Sequence, residues 1–319
     1  MKITAANLNA HTSVESKKSY MVVWKKIWKF RWHYFMLLPG VVVVFLFSYL
    51  PLAGIQIAFR DYNIFAGLWK SPWVGLEHFS FITDKDFWKV FENTIWITAL
   101  KFIFGFPAPI LLAIMLNEVR NQRFKRIIQS LTYMPHFVSW IIVAYIIEIL
   151  LAESNGLVNN ILASFGLDRV YFMGKEDWFR PLIVVSSIWK EVGWGSIIFL
   201  AAIAGIDPQL YDAAKVDGAS KWRQMWNVTL PCMLPTISIM LILTIPNLLN
   251  AGFDQIYPLQ NPVNMPVSEV VDTYVVRTGL NLGYYGPAAA IGLSTGIIQL
   301  LLVIGANSLS RRFGGSRLF

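Results

Sequence analysis

The chain has 319 residues, of which 55% are hydrophobic, 15% aromatic and only 14% charged, with a mean hydropathy of +0.51. About a quarter of a typical soluble domain is charged, so this composition excludes a water-soluble globule and requires a second solvent. The formal charge of +8 has no meaning until it is located, and the single cysteine, Cys232, excludes an intramolecular disulfide framework and any multi-cysteine metal site.

In chain order, a basic tail over residues 1–33 carries seven Lys or Arg against one acidic residue. Apolar runs follow at about 34–59, 94–116, 127–151, 181–204, 233–253 and 288–309. Each is about 20 residues or longer, enough at about 1.5 Å per residue to cross about 30 Å of hydrocarbon, so six spanning helices are predicted. The first run is too long for a secretory signal and has no small-residue cleavage site. Between the spans, the Trp- and Phe-rich segment 60–93 suits the headgroup interface, and segment 152–180, broken by Gly156 and Gly166, reads as an external re-entrant or surface helix. No extramembrane segment exceeds about 35 residues, too little for a soluble catalytic domain.

The charges alternate with the spans. Segments 1–33, 117–126, 205–232 and 310–319 sum to +12, whereas 60–93, 152–180 and 254–287 sum to −4. Lys and Arg accumulate on the cytoplasmic side of membrane proteins, so both termini are expected inside. The basic balance orients the chain and does not imply a nucleic-acid partner.

Loop 205–232 is more organised than a connector. Asp207 before Pro208 predicts a capped helix start, because proline at the first turn needs no N–H partner. Leu210, Ala213 and Ala214 supply a small apolar surface and Gly218 permits a turn. Trp222, Met225 and Trp226 make a second apolar face before Pro231 and Pro235. This pattern fits a protein-docking element or an amphipathic interfacial helix.

The segment Asp212-Ala213-Ala214, three residues, Gly218, nine residues, then Val228-Thr229-Leu230-Pro231 resembles the EAA loop of the membrane subunits of binding-protein-dependent ABC importers. The family pattern begins with Glu and commonly has Ile at the position of Val228; here Asp212 keeps the charge with a shorter reach. The likeness extends over most of 87–309, through Phe91-Glu92-Asn93-Thr94, Arg126 to Pro135, and Trp189 to Gly195. These stretches are similar to the sugar-importer branch, of maltose-transporter type, and residues before 87 resemble the extra first helix of permeases for oligosaccharides or polysaccharide fragments.

The resemblance implies an all-α membrane protein of six transmembrane helices, with the type I ABC importer permease fold and a MetI-like five-helix core. Its parts are the tail 1–33, the additional first helix and external segment 34–86, the permease domain 87–309 containing docking loop 205–232, and the tail 310–319. It implies a second homologous permease subunit, an extracytoplasmic solute-binding protein and two cytoplasmic ATPases carrying ATP-Mg, in a bacterial-type inner membrane. The matching docking residues are Asp212, Ala213, Ala214, Gly218, Val228, Leu230 and Pro231. The chain is expected to be a non-catalytic subunit with no cofactor or metal of its own. Gly174-Lys175-Glu176 lacks the spacing and terminal hydroxyl of a phosphate loop, and no HExxH or HxH is present.

Ionisable groups within lipid are costly, so Lys101, Glu148, Lys190 and Glu191 are expected to face other helices, an aqueous path or a boundary. Glu148 reads as a pathway residue or a structural pair. Asn247, Asn250 and Asp254, at offsets of three and four, are expected on one helix face, either lining a sugar path or satisfying each other. Trp140, Tyr145, Trp189 and Trp194 stack on a sugar or pack a helix. His136 is expected to cap or pack the third helix, and Cys232 to pack. The principal reading is the permease of an ATP-driven carbohydrate importer. A membrane scaffold without a passage and an ion-driven secondary transporter remain as alternatives.

Overall fold

The computed structural model describes residues 25–312. The expected basic tail up to residue 24 and residues 313–319 of the C-terminal tail lie outside the described residues. The helices run α1 (Arg31–Phe59), α2 (Lys85–Glu118), α3 (Gln122–Phe137), α4 (Trp140–Leu151), α5 (Leu157–Ser164), α6 (Glu176–Ala204), α7 (Pro208–Val216), α8 (Lys221–Leu249), α9 (Phe253–Leu259), α10 (Met265–Ser268), α11 (Val271–Val276) and α12 (Tyr285–Arg312). Among the described residues the β structure is one antiparallel bridge, Arg60 to Trp73.

Five helices, α1, α2, α6, α8 and α12, are long and apolar enough to cross a bilayer. The third expected span is not one helix: α3 and α4 are bent by 105° and make a sixth span only as a pair. The cause is local. Pro135 falls in a tight 3-10 turn, Met134–Phe137, and Ser139 then restarts the helix by accepting the Ile142 N–H at 3.4 Å. The 12 residues of α4 rise only about 18 Å at 1.5 Å each, short of the hydrocarbon thickness.

Proline also marks four other irregular points. Its ring clashes with the carbonyl four residues back and it has no N–H to give, so the ladder widens or tightens near it. π-turns Phe45–Tyr49 and Met225–Thr229 come just before Pro51 and Pro231, α2 changes segment at Pro107, and Pro246 sits in the 3-10 turn Ile245–Leu249.

The chain divides into two compact units, meeting at Gln56 and Ile57. In the first, residues Arg31–Val44 bury no side chain, as a helix surrounded by lipid requires. In the second, Ala58 and Phe81 pack with Phe87, Val90, Val271 and Ile291. The segment from 57 onward, grouped by its sequence with the first helix up to residue 86, thus packs on the core unit, where Phe81 is buried and Phe59 and Phe79 are partly buried against α2 and α12.

Two motifs behind the family likeness have a packing reason. Asn93 donates to the carbonyls of Pro266 and Glu269 at 3.0 and 3.2 Å, and Thr94 Oγ1 accepts the Val271 N–H at 2.9 Å, fastening α2 to α10 and α11. In Trp189 to Gly195, Gly193 lets α6 approach the backbone of α3: a Cβ there would fall on the Thr132 carbonyl.

Candidate functional site

The segment from Asp207 to Pro231 folds as two helices joined by a capped turn. Asp207 accepts the Gln209 N–H at 2.9 Å and Pro208 opens α7, as its sequence predicts. At the other end, Gly218 has φ +71°, its N–H donates to Lys215 O at 3.0 Å, and the Ala219 N–H donates to Ala214 O at 2.8 Å. These two bonds are a Schellman cap, which needs a left-handed residue at the position of Gly218. The spacing from Ala214 to Gly218 is thus the geometry of a helix end.

The two helices are then locked together. Tyr211 Oη and Thr229 Oγ1 are 3.0 Å apart, Gln224 Nε2 donates to Ala219 O at 2.9 Å, and Lys221 pairs with Glu118 of α2 at 3.1 Å. Asp212, Ala213 and Gly218 are exposed, and Asp212 is tied to Lys215 on its own helix at 2.8 Å. Leu210, Val216, Trp222 and Trp226 are also exposed, Val216 by 88%. Apolar side chains presented on a rigid polar element suit a protein partner. The sequence places docking residues up to Pro231; of these, Leu230 is partly buried and packs on the cluster of Met233, Ile110 and Phe199. Val228 is half-buried and Pro231 exposed in the helix that α8 begins at Lys221. The expected loop end at 232 therefore lies within α8, which is helical from Lys221.

Along α2, α6 and α8 a cavity of about 500 Å³ opens between helices. Its polar lining includes Lys101, Glu191, Trp194, Thr244, Asn247 and Asn250. Lys101 Nζ donates to Ala251 O at 3.0 Å and Gln255 Oε1 at 2.9 Å. Gln255 is 1% exposed and passes the chain on to Ile183 O at 2.7 Å and Ser186 Oγ at 2.9 Å. Glu191 accepts from His136 Nδ1 at 2.8 Å, and the His136 ring stacks on Trp194 with centroids 4.6 Å apart. Lys190 is buried, donates to His136 O at 2.5 Å and lies over the Trp140 ring. His136 thus joins the last turn of α3 to α6, beyond the capping or packing expected of it, and Lys190 is a structural partner.

Asn247, Asn250 and Asp254 do not share one helix face. The 3-10 turn at Pro246 and the left-handed Gly252, φ +94°, break the helix, leaving Asn250 in an extended conformation. Asn247 and Asn250 line the cavity; Asp254 is exposed outside its lining. Glu148, Tyr145 and Trp189 are exposed and outside it as well, and Cys232 is exposed on α8 rather than packed. Lys101 and Glu191 line the cavity, where sequence reasoning left them between other helices, an aqueous path and a boundary, and Gln255, outside the lining, is reached through Lys101. Their signal was only the cost of polar groups in an apolar run, which does not say what they meet.

Residues 105–315 match the family model for a binding-protein-dependent transport system inner membrane component. The chain is 43% identical over 290 residues to Protein LplB of Bacillus subtilis (strain 168), covering 91% of each chain. It is 44% identical over 301 residues to the polygalacturonan/rhamnogalacturonan transport system permease protein YteP of the same organism, covering 94% of this chain and 93% of that one. Its fold matches, with a TM-score of 0.85 and 40% identity over 91% of this chain and 98% of the other, a chain in the crystal structure of a bacterial ABC transporter involved in the import of the acidic polysaccharide alginate. A structure of the bacterial alginate ABC transporter in complex with an alginate pentasaccharide-bound periplasmic protein matches with the same TM-score and 39% identity, over 92% and 99%.

Proposed function

This chain belongs to the family of binding-protein-dependent transport system inner membrane components, as a permease subunit of an ABC importer, and from that premise we propose that it carries an oligosaccharide or polysaccharide fragment inward by alternating access. One observation carries the proposal. The rod α8 begins in the exposed docking element at Lys221 and ends beside the polar cavity at Asn247, about 40 Å away at 1.5 Å per residue. Movement of the docking element is transmitted along a single helix to the cavity wall.

In this reading two partner ATPases bind ATP-Mg and press on α7 and the start of α8, a second homologous permease completes the passage, and a solute-binding protein delivers the sugar. The termini face the cytoplasm, because the positive excess lies in the segments continuous with the docking element. Lys101 gives the cavity a cation whose hydrogen-bond partners are a neutral carbonyl and an amide, while the other charged lining residue, Glu191, is paired with His136 and Lys190, which favours fragments carrying a carboxylate. Asn247 and Asn250 offer donors and acceptors to hydroxyls.

The test is reconstitution with the cognate permease, ATPases and solute-binding protein, followed by uptake of acidic and neutral oligosaccharides with and without ATP. Uptake that requires ATP and is indifferent to an ion gradient supports the proposal. Uptake driven by the gradient alone, or none despite verified assembly, overturns it in favour of a secondary transporter or a scaffold. In the same vesicles Asn250→Ala is expected to lower uptake about tenfold, the equivalent of one lost hydrogen bond at about 1.4 kcal/mol.

A further inference from the structure

A second cavity, of about 490 Å³, lies between α11 and α12, and Asn250 lines both it and the first. One wall is a single face of α12: Gly292, Thr295, Gly296 and Gln299 fall at offsets of three, four and seven. A Cβ on Gly292 or Gly296 would meet nothing within 4 Å, so bare backbone faces open space.

On the other wall stands Asp272, the single ionisable residue in the lining. Among the described residues its carboxylate has no hydrogen-bond or ion-pair partner, and Arg277, five residues on, holds Glu269 instead through two bonds of 2.6 and 3.1 Å. Burial pushes the Asp272 carboxyl above the usual carboxylate range, since loss of water disfavours its charged form. A carboxylate in such a place needs donors from elsewhere.

The neighbouring groups are equally unspent. Asn250 Oδ1 accepts the Gly252 N–H at 3.0 Å, leaving the amide N–H groups to donate. The Thr295 hydroxyl gives its hydrogen to Gly292 O or Ile291 O, at 2.9 and 3.1 Å, leaving lone pairs to accept. Among the described residues Gln299 has no hydrogen-bond partner, so it offers both functions, and Phe253 adds an aromatic surface. Acceptor-only Asp272 matches hydroxyl donors and repels an anionic ring.

We propose that this second cavity is a carbohydrate subsite for a neutral ring, in which Asp272 accepts from sugar hydroxyls while Asn250 and Gln299 donate to them. It rests on the carbohydrate reading given above. With Lys101 in the adjoining cavity and Asp272 in this one, a fragment is sorted by charge: the acidic ring lies beside Lys101 and the neutral ring beside Asp272.

The experiment uses the complete assembled importer in proteoliposomes with ATP, and two probes of equal length, an all-galacturonate tetrasaccharide and one alternating galacturonate with rhamnose. The wild-type complex is expected to import the alternating probe faster. Asp272→Ala should lower that uptake about tenfold, Asp272→Asn should narrow the preference between the probes, and both should keep ATPase stimulation by the loaded binding protein. Gly296→Leu, which fills the cavity while keeping the Asp272 carboxylate, should also lower uptake of the alternating probe. Unchanged uptake in Asp272→Ala and Gly296→Leu would overturn the subsite. So would loss of assembly in both Asp272 variants, which would make the carboxylate a structural contact. A wild-type complex that imports neither probe would instead overturn the sugar-acid reading itself.

Discussion

Gly218→Asp is expected to leave the chain inserted and assembled while lowering ATP-driven uptake by tenfold or more. Gly218 closes the Schellman cap of α7 at φ +71°, and a side chain there costs about 1–2 kcal/mol of backbone strain. Space is not the obstacle, since a Cβ at that position meets nothing within 4 Å. The added carboxylate protrudes from the exposed face beside Asp212 and Asp217, where an ATPase partner is proposed to dock. A loss of about 1.4 kcal/mol in that contact is already tenfold. Gly218→Asn separates the two effects, because Asn tolerates the left-handed region without the charge. Asp212→Ala is the mild counterpart: it removes an exposed pair with Lys215, worth at most about 1 kcal/mol, so uptake should fall no more than about fivefold. The measurement is uptake together with ATPase stimulation in vesicles of matched protein content. Wild-type coupling in correctly inserted Gly218→Asp would remove the docking role.

Gly193→Ala is expected to destabilise the membrane fold itself. The new methyl group falls on the Thr132 carbonyl, and a backbone atom cannot swing aside as a flexible side chain can. Overpacking of this kind costs about 1–3 kcal/mol, and here it pushes α3 away from α6. The same displacement opens the neighbouring contacts of His136 with Glu191 and of Lys190 with the His136 carbonyl. The midpoint of thermal unfolding in detergent should drop, and the yield of assembled complex should fall with it. Gly195→Ala is the control, since its Cβ approaches only side-chain atoms of Pro109, Cβ at 3.1 Å and Cγ at 3.4 Å, and no backbone. Equal thermal midpoints for Gly193→Ala and wild type would show that the two helices separate without cost.

Much of the architecture was legible because its causes are local. The apolar runs of α1, α2, α6, α8 and α12 are visible in composition, and Asp207-Pro208 announces the start of α7. Gly218 reads as a turn on its own. Hydropathy averages over a window, however, and so it merged α3 and α4 into one span across the break at Pro135. It also ended the docking loop at 232, although α8 is already helical from Lys221. Helical periodicity put Asn247, Asn250 and Asp254 on one face, but periodicity presumes an unbroken helix, and Gly252 breaks this one.

The sequence by itself determined the solvent of each segment and the side of the membrane its charges favour, because transfer into lipid is counted residue by residue. Helix ends belong to the same local class, since a cap depends on a few neighbouring residues. Which polar groups meet inside the membrane was decided only by the tertiary structure. Lys101 finds Gln255, 154 positions away, and His136 finds Glu191, 55 positions away. Asn250 joins a cavity holding Lys101 to another holding Asp272. Each meeting follows from how helices pack, through the approach allowed at Gly193 and the break at Gly252, and a buried polar group takes its meaning from the partner that packing brings to it.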